Sequence, residues 1–248
     1  MRFLLATLWI LLGAAITAGI YWGFLITPES TIWTLMLSAV LAVVALAMAG
    51  LTVSGAIVIL RDGVSATGMA RALRAIPAVI PAALIVLLVW WITARAETWV
   101  AMRNGQISAW FIARFGWDDV AWLFTTIRYV AHWFRWVITA LLALSLMAGI
   151  GAIGWKALGQ AAWIRRALHP RALLVATFSF VLLVALPWMY LVPWRPKGLP
   201  ASTVELVFIV AKLSLSAILF AIGAALVVRE AARPAVVPPG PQQSAQAA

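Results

Sequence analysis

The chain contains no cysteine, which removes disulfides, thiolate metal sites, cysteine nucleophiles and S-palmitoylation together. Acid is scarce too: seven Asp and Glu and two His stand in 248 residues. Ion-coupled transport generally needs carboxylates inside the membrane, and the long apolar runs hold none unless Glu205 lies deeper than the start of the last run. His132 and His169 form no His-Glu-x-x-His pattern, and the adjacent Asp118 and Asp119 would diverge by about 100° on a helix, which makes them poor joint ligands. No metal and no cofactor is therefore expected, and an enzyme has little chemistry to stand on. The string Gly149-x-Gly151-x-x-Gly154 matches a dinucleotide fingerprint in characters only, because no strand precedes it and no acid follows at the required distance. Together with Gly19-x-x-x-Gly23 in the first run, it reads as small-residue helix packing.

Hydrophobic residues make up 65% of the chain and charged ones 10%, with a mean hydropathy of +1.05, whereas a soluble domain carries about 25% charged residues. A spanning helix needs roughly 20 apolar residues, and six stretches supply them, at about 3–26, 32–60, 76–94, 131–154, 172–194 and 203–228. The expected fold is all-α: a polytopic membrane protein of six transmembrane helices with short amphipathic interfacial helices. Residues 1–233 form a single bundle in this reading, 95–130 an outer interfacial segment, and 234–248 a disordered cytoplasmic tail rich in Pro, Gln and Ala. Arg2 before an apolar run suits a secretory signal, but the run continues to Ile26, about twice the length of a signal core, so an uncleaved first helix is expected.

The net charge of +11 would suggest nucleic acid in a soluble protein. Here the basic residues stand singly at the ends of apolar runs, as topology determinants and contacts for anionic lipid head groups. With the N-terminus inside, ten basic residues (Arg2, Arg61, Arg71, Arg74, Lys156, Arg165, Arg166, Arg171, Arg229 and Arg233) face the cytoplasm and seven face out. The inner set is opposed only by Asp62 and Glu230, the outer set by five acids, so both ends are expected to be cytoplasmic. Arg outnumbers Lys fifteen to three, a codon trait of GC-rich bacterial genomes, and the expected location is a bacterial inner membrane. Of the fifteen Trp, all but Trp9, Trp155 and Trp163 fall near the outer face, where half-apolar rings collect.

Two segments lie between spans on the inner side, 61–75 and 155–171. The first places Met69, Leu73 and Ile76 at helical spacing beside Arg71 and Arg74, the pattern of an interfacial helix. Pro77 and Pro81 open the third span, where a missing N–H costs little. Short identities (Met48-Ala49-Gly50 with Met147-Ala148-Gly149, and Arg71-Ala72-Leu73 with Arg166-Ala167-Leu168) raise a duplicated hairpin as one alternative and chance in an Ala/Leu/Val-rich chain as the other. On the outer side, Asn104-Gly105 reads as a turn and 106–115 as a short amphipathic helix ended by Gly116. Asp118 is placed to cap a helix beginning near Asp119 and running without interruption to about Ile153.

Two groups of residues are candidates for binding. Arg128, His132 and Arg135 share a helical face, either as an anion pocket built on guanidinium forks or as interface residues that reach toward lipid phosphates. Lys212 is the one cation well inside a span; either it is paired, its expected partners being Glu205, seven residues earlier, or Asp118 or Asp119 from the outer segment, or it snorkels toward the outer interface. The leading expectation is a non-enzymatic scaffold or subunit of a membrane complex, with a Trp- and Arg-rich outer face toward lipid or a membrane-protein partner, and no nucleic acid. The alternative is a transporter or lipid-handling permease holding an anionic substrate on Lys212 and the Arg128/His132/Arg135 face. A permease requires Lys212 on a polar cavity near the midplane, a scaffold requires Lys212 neutralised by Glu205, and an enzyme requires His132 converging with a carboxylate.

Overall fold

The computed structural model describes residues 1–28, 30–117, 119–195 and 203–233; the expected tail 234–248 and Asp118 lie outside them. Among the described residues there is no strand. The helices are α1 (Arg2–Ile26), α2 (Ile32–Asp62), α3 (Ala66–Arg74), α4 (Val79–Met102), α5 (Asn104–Phe115), α6 (Ala121–Trp133), α7 (Thr139–Ile153), α8 (Ala162–Ala167), α9 (Pro170–Phe180) and α10 (Thr203–Ala231). Wider π-helical turns at Phe134–Ile138, Val181–Ala185 and Pro187–Leu191 join α6 to α7 and extend α9. Six of the resulting helices, Arg2–Ile26, Ile32–Asp62, Ile76–Met102, Ala121–Gly159, Pro170–Leu191 and Thr203–Ala231, are long and apolar enough to cross a membrane. The chain is an all-α polytopic membrane protein.

Local chemistry sets the boundaries of these helices. Thr31 and Thr34 close a reciprocal capping box at the start of α2, and Ser65 accepts from the Gly68 N–H at the start of α3, each satisfying donors that a helix start leaves orphaned. Pro170 occupies the first turn of α9, where it sacrifices no hydrogen bond. Gly116 ends α5 at φ 66°, a left-handed geometry that costs glycine little. Pro187 cannot donate within the fifth span, and the chain answers with a wide turn closed by Val192 N–H on the Pro187 carbonyl at 2.9 Å.

Three boundaries differ from the sequence expectation. The third span does not stop near residue 94: α4 runs on to Met102, because 95–102 are good helix formers and Glu97 finds a cation on the neighbouring helix. Asn104-Gly105 is not a turn. The chain bends at Arg103 and α5 starts at Asn104, so the bend falls one residue earlier. The fourth span begins at Ala121, whose N–H is accepted by Asp119 Oδ1 at 2.7 Å, and the wide turn at 134–138 interrupts its α-helical hydrogen bonding.

Burial is concentrated at one end of the bundle. The buried residues of α1 are Ala6, Ile10 and Gly13, those of α2 lie mostly in 50–59, and those of α10 in 221–231, all near the end that holds both Met1 and Arg233. Residues of α5 and α6, at the opposite end, include none that is buried. We call these the closed and open ends. The fourth span is the hub: 56% of its most apolar window is buried, against at most 39% in any other span. More than half of the buried apolar residues are Ala, as expected where lipid tails compete equally for large side chains and association depends on close backbone approach.

The close approaches are specific. The Trp9 ring lies over Gly55 and Thr52 over Gly13, each filling the space a Cβ would need, and Trp9 Nε1 donates to the Thr52 carbonyl at 3.0 Å. Gly50 admits the turn at Ile76 and Val79, and Gly149 admits Ala157 and Trp163, so each of these glycines receives the elbow that follows its own span. Gly19, Gly151 and Gly154 meet nothing within 4 Å, and Gly23 only the tip of Leu41. The packing expected of Gly19/Gly23 and of the Gly151/Gly154 half of the second string is thus corrected. Gly154 serves instead at φ 69° to end α7.

Candidate functional site

The open end is built by α4, α5 and α6 with the wide turn at 134–138. Its corner around Gly116 is held by ring contacts, Phe111 on Trp117 at 5.0 Å, Phe115 on Trp117 at 5.3 Å and Trp117 on Trp122 at 5.3 Å. Trp90 meets Trp136 edge-on at 5.5 Å, and Arg103 lies over Trp99 at 4.5 Å. Such stacking fixes a corner without burying it in protein.

Between these elements opens a cleft of about 380 Å³ lined by Glu97, Val100, Ala101, Asn104, Phe124, Ile127, Arg128 and His132. Arg128 and His132, four residues apart on α6, thus share one cavity, as their spacing predicts. Arg135 does not line it. One residue into the wide turn, its Nε donates to Thr93 Oγ1 at 2.8 Å and its Nη2 pairs with Glu97. The ion pair is mostly enclosed, with 15% and 28% of the two side chains exposed. Glu97 therefore reaches the cleft already neutralised, and Arg135 works as a strut between the third and fourth spans. Neither Glu97 nor Asn104 was marked as a site residue by the sequence. The available signal was Thr93 and Glu97 four residues apart on one face, facing a cation that lay 38 positions later.

His132 Nδ1 lies 2.8 Å from the Arg128 carbonyl. A carbonyl only accepts, so Nδ1 carries the proton and Nε2 is left as an acceptor in the neutral ring. Asn104 Oδ1 accepts from Ser108 Oγ at 3.3 Å, which leaves the amide N–H groups to donate elsewhere.

Lys212 departs from the expected pairing. Glu205 is taken by Arg195 at 2.7 Å, and Lys212 Nζ donates to the carbonyls of Val192 at 2.5 Å and Trp194 at 3.2 Å, with the Phe208 ring 5.6 Å away. The physical reason is the end of the fifth span, whose last carbonyls have no intrahelical donor and carry the negative end of the helix dipole. Asp119 is occupied by the Ala121 N–H, and Asp118 is outside the described residues. Lys212 does not line the cleft between α4, α5 and α6.

The closed end uses cations in the same way. Arg2 Nη1 donates to the Arg61 carbonyl at the end of α2 at 2.8 Å, and Arg166 Nη1 to the Ala231 carbonyl at the end of α10 at 3.4 Å. Burial first, and the like charge of Arg61 second, push the Arg166 guanidinium below its usual value. Buried Glu230 gathers Arg233 at 3.0 Å and Arg171 at 3.6 Å, tying the last helix to the start of α9. Among the described residues no group of three His, Asp or Glu could hold a metal ion. Comparison of the chain with protein-family models, with curated proteins and with solved structures returns no match.

Proposed function

We propose that this membrane protein is a non-enzymatic scaffold or subunit of a membrane complex, and that its open end is the working face toward lipid and a partner membrane protein. The observation that carries the reading is the contrast between the two ends: the buried residues of α1, α2 and α10 gather at the closed end, where the Trp9 and Thr52 side chains fill the space over Gly55 and Gly13, while no residue of α5 or α6 is buried and Trp110, Trp122 and Tyr129 are exposed. Large exposed aromatic groups rimmed by Arg mark interaction surfaces. The same reading places the chain in a bacterial inner membrane with both ends cytoplasmic, following its basic residues.

Affinity purification of the whole chain in mild detergent, with mass spectrometry of what accompanies it, tests this. A stoichiometric protein partner that Lys212→Ala keeps and a Trp110→Ala/Trp122→Ala double variant loses is the expected result. A partner retained by the double variant would overturn the assignment of the face. One observation favours a second reading, a permease for an anionic substrate: the cleft that holds Arg128 and His132. Against it stands Lys212, whose charge is spent on helix-end carbonyls. A metabolite that co-purifies with the wild type and is lost in Lys212→Ala would reverse that judgement.

A further inference from the structure

The open-end cleft combines two kinds of surface. Val100, Ala101, Phe124 and Ile127 give it apolar walls, and Asn104, Arg128 and His132 stand among them as polar groups. Apolar walls beside a polar cluster at the end of membrane-spanning helices match an amphiphile, whose chains need lipid-like surroundings and whose head needs donors. The charge balance is one-sided. Glu97 is neutralised by Arg135, whereas Arg128 is exposed and its guanidinium has no ion pair or hydrogen bond among the described residues, so it is the cleft's uncompensated charge. The Asn104 amide is turned by Ser108 so that its N–H groups remain free to donate. His132, with its Nδ1 proton spent on the Arg128 carbonyl, offers an acceptor at Nε2.

We propose that this cleft binds one phospholipid head group, the phosphate on the Arg128 guanidinium and the Asn104 amide, and a hydroxyl or ammonium donor of the same head group on His132 Nε2. A guanidinium suits this task because its fork matches two phosphate oxygens. The assignment rests on the open end being the working face, but it does not require a protein partner. Lipid binding is read on the purified chain and partner association from membranes, so failure of either leaves the other measurable.

The test is titration of the purified full-length protein with phosphatidylglycerol, followed by native mass spectrometry, with inorganic phosphate and phosphatidic acid as comparison ligands. Arg128 is exposed and unpartnered, so Arg128→Gln leaves the fold intact, and it is expected to weaken phosphatidylglycerol binding about tenfold or more. Arg114→Gln removes another exposed cation, outside the cleft, and is expected to change it less than about twofold. His132→Phe is expected to weaken phosphatidylglycerol more than phosphatidic acid, which lacks the added donor. Equal losses in Arg128→Gln and Arg114→Gln would show diffuse surface charge and overturn the site. Displacement of the lipid by inorganic phosphate at equal concentration would overturn the lipid in favour of a free-phosphate site, and equal losses of both lipids in His132→Phe would remove the role given to Nε2.

Discussion

At the closed end, helices meet through Ala and Gly, Arg2 and Arg166 donate to helix-end carbonyls, and Arg171 and Arg233 pair with Glu230. At the open end, helices meet through Trp rings and the Arg135–Glu97 and Arg195–Glu205 pairs, and no residue of α5 or α6 is buried. The difference lies in side-chain size. Small residues let backbones approach, and in lipid that approach is what holds helices together. Bulky rings keep backbones apart and leave a cleft between them. A membrane bundle can thus have a structural end and a receptive end, set by residue volume along the same helices.

The comparison is broken most severely at the glycines. Gly55→Leu forces the Trp9 ring off α2 and is expected to destabilise the chain by about 3 kcal/mol, read as loss of the monodisperse species in detergent or by denaturant titration. Gly19→Leu, in the same hairpin but facing open space, is expected to stay within about 0.5 kcal/mol. Equal effects would mean that the two ends are packed alike. A step smaller is Glu97→Gln, which strands Arg135 in a mostly enclosed position and is expected to cost about 2 kcal/mol, with the loss confined to the open end in hydrogen exchange.

Lys212→Met sharpens the comparison further. Removing the cation leaves the Val192 and Trp194 carbonyls without a donor, an expected cost of about 1 kcal/mol. In a double-mutant cycle Lys212 and Glu205 should show no coupling, while Arg195 and Glu205 should show a few tenths of a kcal/mol, small because Arg195 is 61% exposed. Coupling of Lys212 to Glu205 would restore the pairing expected from sequence. The smallest effect is on the rim: Trp110→Leu is expected to leave stability within about 0.5 kcal/mol, and any change it makes should appear only in what the open end binds.

Much of this was legible in the sequence. Six apolar runs gave six membrane-spanning helices, since span length follows from bilayer thickness, and Gly116 ended α5 where its sequence suggests. The four-residue spacing of Arg128 and His132 put both on the cleft. What could not be read was which glycines touch a neighbour: Gly13 and Gly55 do and Gly19 does not, because contact depends on how α1 and α2 are rotated about their axes, which spacing within one helix does not determine. Lys212 was misassigned for a related reason. Sequence shows side-chain carboxylates but not the unpaired backbone carbonyls that the end of the fifth span exposes at Val192 and Trp194. Arg135 was placed with the anion face because the sequence does not show that Thr93 and Glu97, about forty positions earlier, take its guanidinium.

The most direct test of the central claim is site-specific photo-cross-linking in native membranes, with a photoreactive residue placed in turn at Trp110, Trp122 and Tyr129 of the open end and at Trp155 and Leu168 of the closed end. The account predicts discrete protein or phospholipid adducts from the first three positions and none from the last two. Discrete protein adducts from Trp155 and Leu168, with the open-end positions silent, would contradict it.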